Sequence, residues 1–264
     1  ILCISMTLLM SCTVPQHDNE NKNIDAASYV DPFIGTGGHG HTFPGATAPF
    51  GMIQLSPDTR MDSWDGCSGY HISDSIILGF SHTHLSGTGV NDYGDFRFMP
   101  TTGKRYLKSG YNENKGYKSS FRHETETARL GYYSVTLDDY DIKVELTSGE
   151  RVAMHRYHFP ETDNAHVILD MKESTLSSEQ ILDAYINILN DYTVTGFRRT
   201  KQWAQDQYLY FYAEFSKPFT GYGICNNGMK KNGYRHVEGD DIQAWFDFDT
   251  NDGEPVIIRI ATSA

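Results

Sequence analysis

Alternating apolar and polar positions recur along the second half of the chain, from about Leu130 onwards. A period of two places successive side chains on opposite faces of an extended chain, and clusters of Asp, Gly, Pro and Asn separate the runs as turns. The pattern predicts an all-β fold, an antiparallel β-sandwich with Gly-rich loops and little helix, rather than a parallel α/β sheet. The predicted strands are 132–137, 142–147, 152–159, 166–171, 185–189, 192–197, 208–215, 221–225, 242–248 and 256–262.

Residues 29–100 depart from this regular pattern. They hold half of the 24 glycines of the chain but no Glu and no Lys, the long charged side chains that a solvated helix face needs. We therefore expect closely packed loops and short strands in this segment, and the functional surface as well, because binding residues are often carried on loops. Elsewhere, only residues 177–184 show a pattern that fits one or two turns of helix.

The first residues form an apolar run that ends at Cys12. This predicts part of a bacterial lipoprotein signal peptide in residues 1–11, lipid attachment at Cys12 and a polar tether in residues 12–28. An ordinary secretory signal is the alternative. We expect an exported protein of the bacterial cell envelope, in the periplasm or on the outer membrane. Because the chain stops at a buried-type strand without a polar tail, we also expect it to be a fragment of a longer polypeptide.

Charge limits the range of partners. The chain has 264 residues, with 22 basic and 34 acidic side chains, and a net charge of −12. This charge disfavours nucleic acid and anionic membranes, so contact with a membrane is expected only through the lipid anchor. Outside the signal region the cysteines are Cys67 and Cys225, and we expect free thiols at both positions, with a disulfide as the alternative.

Three motifs rich in His, Trp, Tyr, Asp and Ser lie within the Gly-rich segment. A flat Trp or Tyr ring can pack against the C–H face of a sugar while Asp, His and Ser bind its hydroxyl groups. The motifs therefore favour a neutral polar ligand such as a sugar, although any one of these residues alone is better explained by packing at the edge of the core. The motifs are His39-Gly40-His41, residues 64–71 (WDGCSGYH) and residues 81–87 (SHTHLSG).

Metal chemistry and hydrolysis are the two catalytic possibilities in this segment. In a strand, His82 and His84 would present their imidazoles on one face, a spacing that metal sites use, but no third ligand is indicated and hydrogen-bonding histidines are favoured. Glycoside hydrolysis needs two carboxyl groups flanking the bond, and short Asp side chains at loops more often form Asx turns. We predict no catalytic and no metal-binding residue in this chain. The carboxylates of the segment are Asp31, Asp58, Asp62, Asp65, Asp74, Asp92 and Asp95.

Taken together, the three motifs resemble the N-terminal domain of glycoside hydrolase family 92, the calcium-dependent exo-acting α-mannosidases. The resemblance extends over residues 29–264, which would form one N-terminal β-sandwich domain. It is carried by residues 30–60 (VDPFIGTGGHGHTFPGATAPFGMIQLSPDTR), residues 64–71 and residues 79–96 (GFSHTHLSGTGVNDYGDF).

This resemblance implies that the sandwich contributes loops to a sugar pocket for a terminal α-mannoside. A larger helical catalytic domain of the same polypeptide would supply the acid, the base and most calcium ligands, for hydrolysis with inversion. The alternative is a stand-alone carbohydrate-binding or scaffold module without chemistry. Trp64 is expected to be partly exposed at a concave surface rather than sealed in the core. The residues that match the pocket loops of the family are Trp64, Asp65, Gly66, Cys67, His84 and Asp92.

Overall fold

The computed structural model describes residues 25–173 and 180–264. Residues 1–24, with the predicted signal peptide, the predicted lipid site at Cys12 and most of the tether, lie outside the described residues. The helical content of the described part is three short 3₁₀ helices, Ala26–Tyr29, Trp64–Gly66 and His123–Thr125. Among these residues, no helix is both long and apolar enough to cross a membrane.

Strands make up most of the remaining regular structure, and the ten strands predicted from alternation are confirmed to within a few residues, with two exceptions. The predicted strand 185–189 begins five residues earlier, at Gln180, and the predicted strand 192–197 runs four residues further, to Lys201. In chain order they are β1 (Ala46–Thr47), β2 (Gln54–Asp58), β3 (Ile76–Ile77), β4 (Gly79–Ser81), β5 (Arg97–Thr102), β6 (Ser119–Ser120), β7 (Thr127–Arg129), β8 (Tyr132–Leu137), β9 (Ile142–Ser148), β10 (Val152–His158), β11 (Ala165–Asp170), β12 (Gln180–Asn190), β13 (Thr193–Lys201), β14 (Gln207–Phe215), β15 (Gly221–Asn226), β16 (Met229–Asn232), β17 (His236–Glu238), β18 (Ile242–Phe248) and β19 (Val256–Ser263).

Two large antiparallel sheets form the sandwich. The eight-stranded sheet has the order β1-β2-β4-β5-β11-β18-β15-β16, and the nine-stranded sheet has the order β17-β12-β13-β14-β19-β10-β9-β8-β7. The two remaining strands, β3 and β6, pair with each other. Side chains from both large sheets, such as Phe98 and Trp245 from one and Phe211 and Ile258 from the other, share one hydrophobic core. The predicted all-β sandwich is therefore confirmed.

The prediction of helical turns at residues 177–184 is wrong where the structure describes it. Strand β12 begins at Gln180 and pairs with β13, with a register shift between Ile181 and Asp183. Such an irregularity adds a residue to one strand and interrupts the apolar–polar alternation, so the local pattern does not indicate a strand. Residues 177–179 lie outside the described part of the chain.

The Gly-rich segment folds into loops between the short strands β1 to β5, as predicted. One close approach shows why glycine is needed there. A Cβ atom at Gly40 would lie 2.0 Å from the carbonyl oxygen of Gly35, which is too close for any side chain. The loop can therefore fold back on itself and carry His39 and His41 towards the next motif.

Candidate functional site

The three sequence motifs meet at one surface, which we call the Trp64 cluster and define as His39, His41, Trp64, Asp65 and Gly89. The ring of His41 lies edge-on to Trp64 with 4.2 Å between centroids, and the ring of His39 lies 5.1 Å from Trp64. The indole Nε1–H of Trp64 donates to the carbonyl oxygen of Gly89 (2.7 Å). Loops far apart in sequence thus assemble one aromatic and polar surface.

Trp64 is 57% exposed, which confirms the prediction that it is not sealed in the core. It stands at the start of a short 3₁₀ helix, and its exposed ring is held on one side by His41. Gly89 has φ = +63°, and a Cβ there would lie 3.0 Å from the Trp64 ring and 3.1 Å from His41. Glycine is required for this approach. Whether the surface faces another domain stays a prediction.

Asp65 and the two histidines form the polar side of the cluster. His39 Nδ1 donates to Asp65 Oδ1 (2.5 Å), and this hydrogen bond lowers the pKa of the carboxyl below its ordinary value. His41 is almost fully buried, and its Nε2 has no hydrogen-bond partner in the described part of the chain, although it lies 3.7 Å from Asp65 Oδ1. A buried polar nitrogen without a partner is costly, but this atom is closed to solvent, so His41 acts on the surface through its contact with Trp64 and not as a group that a ligand reaches.

His84 lies below this surface in a buried ionic network. Its Nδ1 donates to the carbonyl oxygen of Gln54 (2.7 Å), and its Nε2 lies 2.8 Å from Asp58 Oδ1 and 3.0 Å from the Ser81 hydroxyl. Burial alone would raise the pKa of Asp58, but the Arg97 guanidinium and the His84 contact hold it below the ordinary value. His84 therefore supports the loops, and its ring also lines a cleft of about 600 Å³.

The second motif is tied to this network by Gly69. This residue has φ = +84°, and a Cβ there would lie 2.7 Å from Asp58 Oδ1 and 3.0 Å from His84 Nε2. Only glycine allows the WDGCSGYH loop to lie so close to the buried pair. The loop that carries Trp64 and Asp65 is thus seated on the network.

The histidines of the SHTH motif do not share a ligand. His82 Nδ1 donates to the carbonyl oxygen of Phe96 (2.8 Å), and His82 Nε2 lies 3.0 Å from Nε2 of His155, whereas His84 faces Asp58. Within residues 25–173 and 180–264, no three or more His, Cys, Asp or Glu side chains come together to hold a metal ion. The hydrogen-bonding interpretation of these histidines is confirmed.

Three other predicted site residues lie deeper than Trp64. Gly66 and Cys67 are buried next to it, and burial raises the pKa of the Cys67 thiol. Cys67 and Cys225 are both free thiols, as expected. The Asp92 carboxylate is buried and accepts from the amides of Tyr93 (3.0 Å) and Ala204 (2.6 Å). A sugar-binding role for these residues stays a prediction, and for Asp92 the contacts show that it joins two loops.

The expectation that Asp side chains of residues 29–100 form Asx turns holds for only part of them. Asp31 forms one, because its Oδ1 accepts from the amide two residues on (2.9 Å). The expectation is wrong for Asp74, which accepts from Arg60 Nε (2.8 Å), and for Asp95, which accepts from Arg198 Nη1 (2.8 Å). Asp95 thus reaches a buried guanidinium group of β13, whereas Asp74 pairs with the half-buried Arg60 of a neighbouring loop.

The Trp64 cluster therefore combines what sugar binding requires: an exposed aromatic ring, an ionised carboxylate and the exposed imidazole of His39. It offers one carboxylate, Asp65, and a glycosidase needs two. The geometry fits binding and orientation of a ligand better than bond cleavage by these residues alone. His39 and His41 belong to a motif noted in the sequence, but nothing in their spacing assigned them to the site.

Comparison with known proteins places the whole described sandwich in one family model. Residues 29–263 match the model of the glycosyl hydrolase family 92 N-terminal domain. A protein of Arthroderma benhamiae described as an uncharacterized secreted glycosidase is 30% identical over 162 residues, which is 60% of this chain and 20% of that protein.

Solved structures show the same relationship. An α-mannosidase of family 92 from Bacteroides thetaiotaomicron, in complex with mannoimidazole, is 39% identical with a TM-score of 0.84, over 90% of this chain and 32% of that one. An inverting mannosidase of the family from the same organism is 30% identical with a TM-score of 0.76, over 90% of this chain and 31% of that one. The chain spans about a third of the length of these structures and a fifth of the curated relative.

Proposed function

This chain belongs to glycosyl hydrolase family 92, whose N-terminal domain it contains, and we propose that it forms the sugar-pocket part of an exo-acting α-mannosidase. In this proposal the Trp64 cluster binds a terminal α-mannoside of an N-glycan or mannan. A helical domain of the same polypeptide supplies the acid and the base, and cleavage proceeds with inversion. The observation that carries the proposal is the exposed Trp64 ring beside the accessible side chains of Asp65 and His39.

The chemistry of the cluster and the similar solved structures both support this assignment. A sugar has one apolar C–H face and a rim of hydroxyl groups, and Trp64 with Asp65 and His39 offers a matching ring and matching polar groups. The inverting mannosidase and the mannoimidazole complex among the similar structures favour mannosides over other sugars. An inverting reaction needs two carboxyl groups roughly 6.5–9.5 Å apart, which the single carboxylate of this cluster does not supply.

Calcium is part of the proposal for the whole enzyme, but residues 25–173 and 180–264 show no cluster of acidic side chains that fits a site for it. Calcium takes about six to eight oxygen ligands, and the described residues bring together no group of three or more acidic or other ligating side chains. We therefore propose that the calcium ligands come mainly from the helical domain.

Export is the corresponding proposal for location. The curated relative is described as secreted, and lipid on Cys12 with anchoring in a bacterial envelope would be consistent with the apolar run that precedes this residue. Metabolic labelling with a fatty acid decides between a lipoprotein and an ordinary secreted protein. A protein that stays unlabelled, and fractionates as its Cys12→Ala variant does, would exclude the lipid.

The first prediction concerns hydrolysis. The 264-residue chain is expected to release no mannose from an α-mannoside, because the described residues place only one carboxylate, Asp65, at the proposed sugar site, and hydrolysis needs two. The longer parent polypeptide is expected to turn over the same substrate, with an α-configured substrate giving β-mannose, and to stop when calcium is chelated. Mannose release and the anomer first formed are measured for both proteins.

Each result of this assay has a clear meaning. Turnover by the 264-residue chain alone would show that the catalytic groups lie in the sandwich. An inert parent that still binds α-mannosides would favour the binding-module alternative instead. A parent that is active without calcium would remove the ion from the proposal.

The second prediction concerns Trp64. In the parent polypeptide, Trp64→Ala is expected to weaken α-mannoside binding about fivefold or more, since stacking of a ligand ring on an aromatic side chain contributes about 1–3 kcal/mol. The free energy of unfolding should fall by much less than the roughly 3–5 kcal/mol of a buried Trp. Trp203, which is 60% exposed on the β13–β14 loop, provides the matched control. Equal binding losses in Trp64→Ala and Trp203→Ala would contradict the assignment.

A further inference from the structure

A second cleft lies at the far edge of the eight-stranded sheet, away from the Trp64 cluster. Residues 103–118, which join β5 and β6, carry five basic side chains and one acidic side chain in a protein of net charge −12. With the β15–β16 hairpin they enclose a cleft of about 300 Å³, which we call the lysine cleft. Its lining includes Tyr106, Lys108, Lys115, Lys230 and Gln243.

The loop that carries two of these lysines is held in place by its own backbone. The amide of Tyr117 donates to the carbonyl oxygen of Lys108 (2.9 Å). A Cβ at Gly116 would lie 2.0 Å from the carbonyl oxygen of Ser109, so glycine lets the two arms close. The Tyr117 hydroxyl donates to the buried Asp170 (2.7 Å) and ties the loop to the sheet. The cleft is therefore preorganised, which reduces the entropy lost on binding.

The charges of the lysine cleft are only partly balanced by the protein. In the described residues, none of Lys108, Lys115 and Lys230 makes an ion pair with a carboxylate, although Glu113 also lines the cleft. Other cations of the same loop are occupied: Arg105 Nη1 pairs with Asp247 (2.5 Å), and Lys118 Nζ donates to two carbonyl oxygens. Three lysines without a carboxylate partner and one glutamate line the same concave space, so the local charge is positive and attracts an anion.

We propose that the lysine cleft binds an anionic sugar unit, a monosaccharide that carries phosphate, sulfate or carboxylate. The ammonium groups are point charges suited to such a group, and Leu107 and Cys225 in the lining offer an apolar surface to the pyranose. A volume of about 300 Å³ is at the small end of ligand pockets and suits one sugar, whereas an inorganic ion would leave most of it unfilled.

The lysine cleft is independent of the proposed mannoside pocket. It shares no lining residue with the Trp64 cluster, and it lies at the β15–β16 edge of the sheet, whereas Trp64 follows β2 near the opposite edge. A bound charged sugar would therefore hold a glycan at a second point, without taking part in hydrolysis. The proposal stands whether or not the parent is a mannosidase.

The test measures binding of glucose 6-phosphate to the 264-residue chain at low salt by titration calorimetry, with glucose and inorganic phosphate as separate probes. Glucose is chosen because a mannoside pocket would not select it. We expect a millimolar Kd for glucose 6-phosphate, no detectable binding of glucose, and at least fivefold weaker binding of phosphate. Lys115→Gln/Lys230→Gln should raise the Kd at least fivefold, and about 0.5 M salt should do the same.

Matched variants separate the cleft from general electrostatics. Lys143→Gln/Lys201→Gln removes the same charge from two exposed positions of the nine-stranded sheet and should leave the Kd unchanged within twofold. Trp64→Ala should also leave it unchanged. Equal loss in both double variants, equal affinity for phosphate and glucose 6-phosphate, or no binding at all would each overturn the proposal.

Discussion

Replacement of Arg97 by Ala is expected to lower the free energy of unfolding by about 3–5 kcal/mol, because it leaves buried carboxylates without their cation. Arg97 and Asp58 are both fully buried, and Arg97 Nε donates to Asp58 Oδ2 (2.8 Å). Its Nη1 donates to Glu173 Oε2 (3.0 Å). Denaturant unfolding of the wild type and the variant measures the loss.

Arg122 provides the matched control for this prediction. It also forms a two-point ion pair, with Asp138, but its side chain is 65% exposed. Arg122→Ala is expected to leave the free energy of unfolding nearly unchanged, since water already solvates these charges. A loss at Arg97 no larger than that at Arg122 would show that the buried pair does not stabilise the loops. Arg97→Lys, which keeps the charge without the two-point geometry, should fall between wild type and Arg97→Ala.

Acidification from pH 7 to pH 5 is expected to destabilise the protein through two buried histidines that join the sheets. The carbonyl oxygen of Phe96 can only accept, so His82 carries its proton on Nδ1 and its Nε2 accepts from Nε2–H of His155 (3.0 Å). His155 Nδ1 then accepts from the Tyr157 hydroxyl (2.8 Å). A proton added to either ring would turn an acceptor into a second donor and break this chain of hydrogen bonds.

The sign of the pH effect follows from the pKa of His82, which burial lowers from 6.5 to about 4. The pKa of His155 is lowered in the same direction by burial and by His82. Between pH 6.5 and pH 4 the unfolded chain therefore binds more protons than the folded one. The free energy of unfolding thus decreases as the pH is lowered. His82 alone contributes a loss of roughly 2 kcal/mol at pH 5.

The variant His82→Asn/His155→Gln isolates this contribution, because neither replacement titrates. Burial raises the pKa of Asp170 to about 6, so Asp170 titrates in the same window with the opposite sign. The histidine effect is therefore read from the difference between the two proteins at pH 7, 6 and 5. That difference should shrink by about 2 kcal/mol or more. A difference that stays constant would show that the histidines do not titrate in this way.

The candidate functional surface could be predicted from sequence only to the extent that composition and motifs indicate it. The glycines and motifs of residues 29–100 located the segment, and the amphipathic ring of Trp64 indicated an exposed position. The partners of Asp65 were not predictable, because His39 lies 26 residues away and the contact depends on how two loops fold back. Gly89 could be predicted to form a loop. Its approach to Trp64 was not predictable, because it depends on how residues 79–96 fold against the two earlier motifs.

Local sequence determined the strands of the second half of the chain, because a period of two fixes which face of an extended segment is apolar. It failed at the start of β12, residues 180–184, where a register shift disturbs that period. Only the tertiary structure decided which charges are buried: Arg97 meets Asp58 and Glu173 across separations of 39 and 76 residues, and Arg198 meets Asp95 across 103. Such contacts follow from the order of strands in the sheets and the packing of one sheet on the other, and no short window of sequence encodes that order.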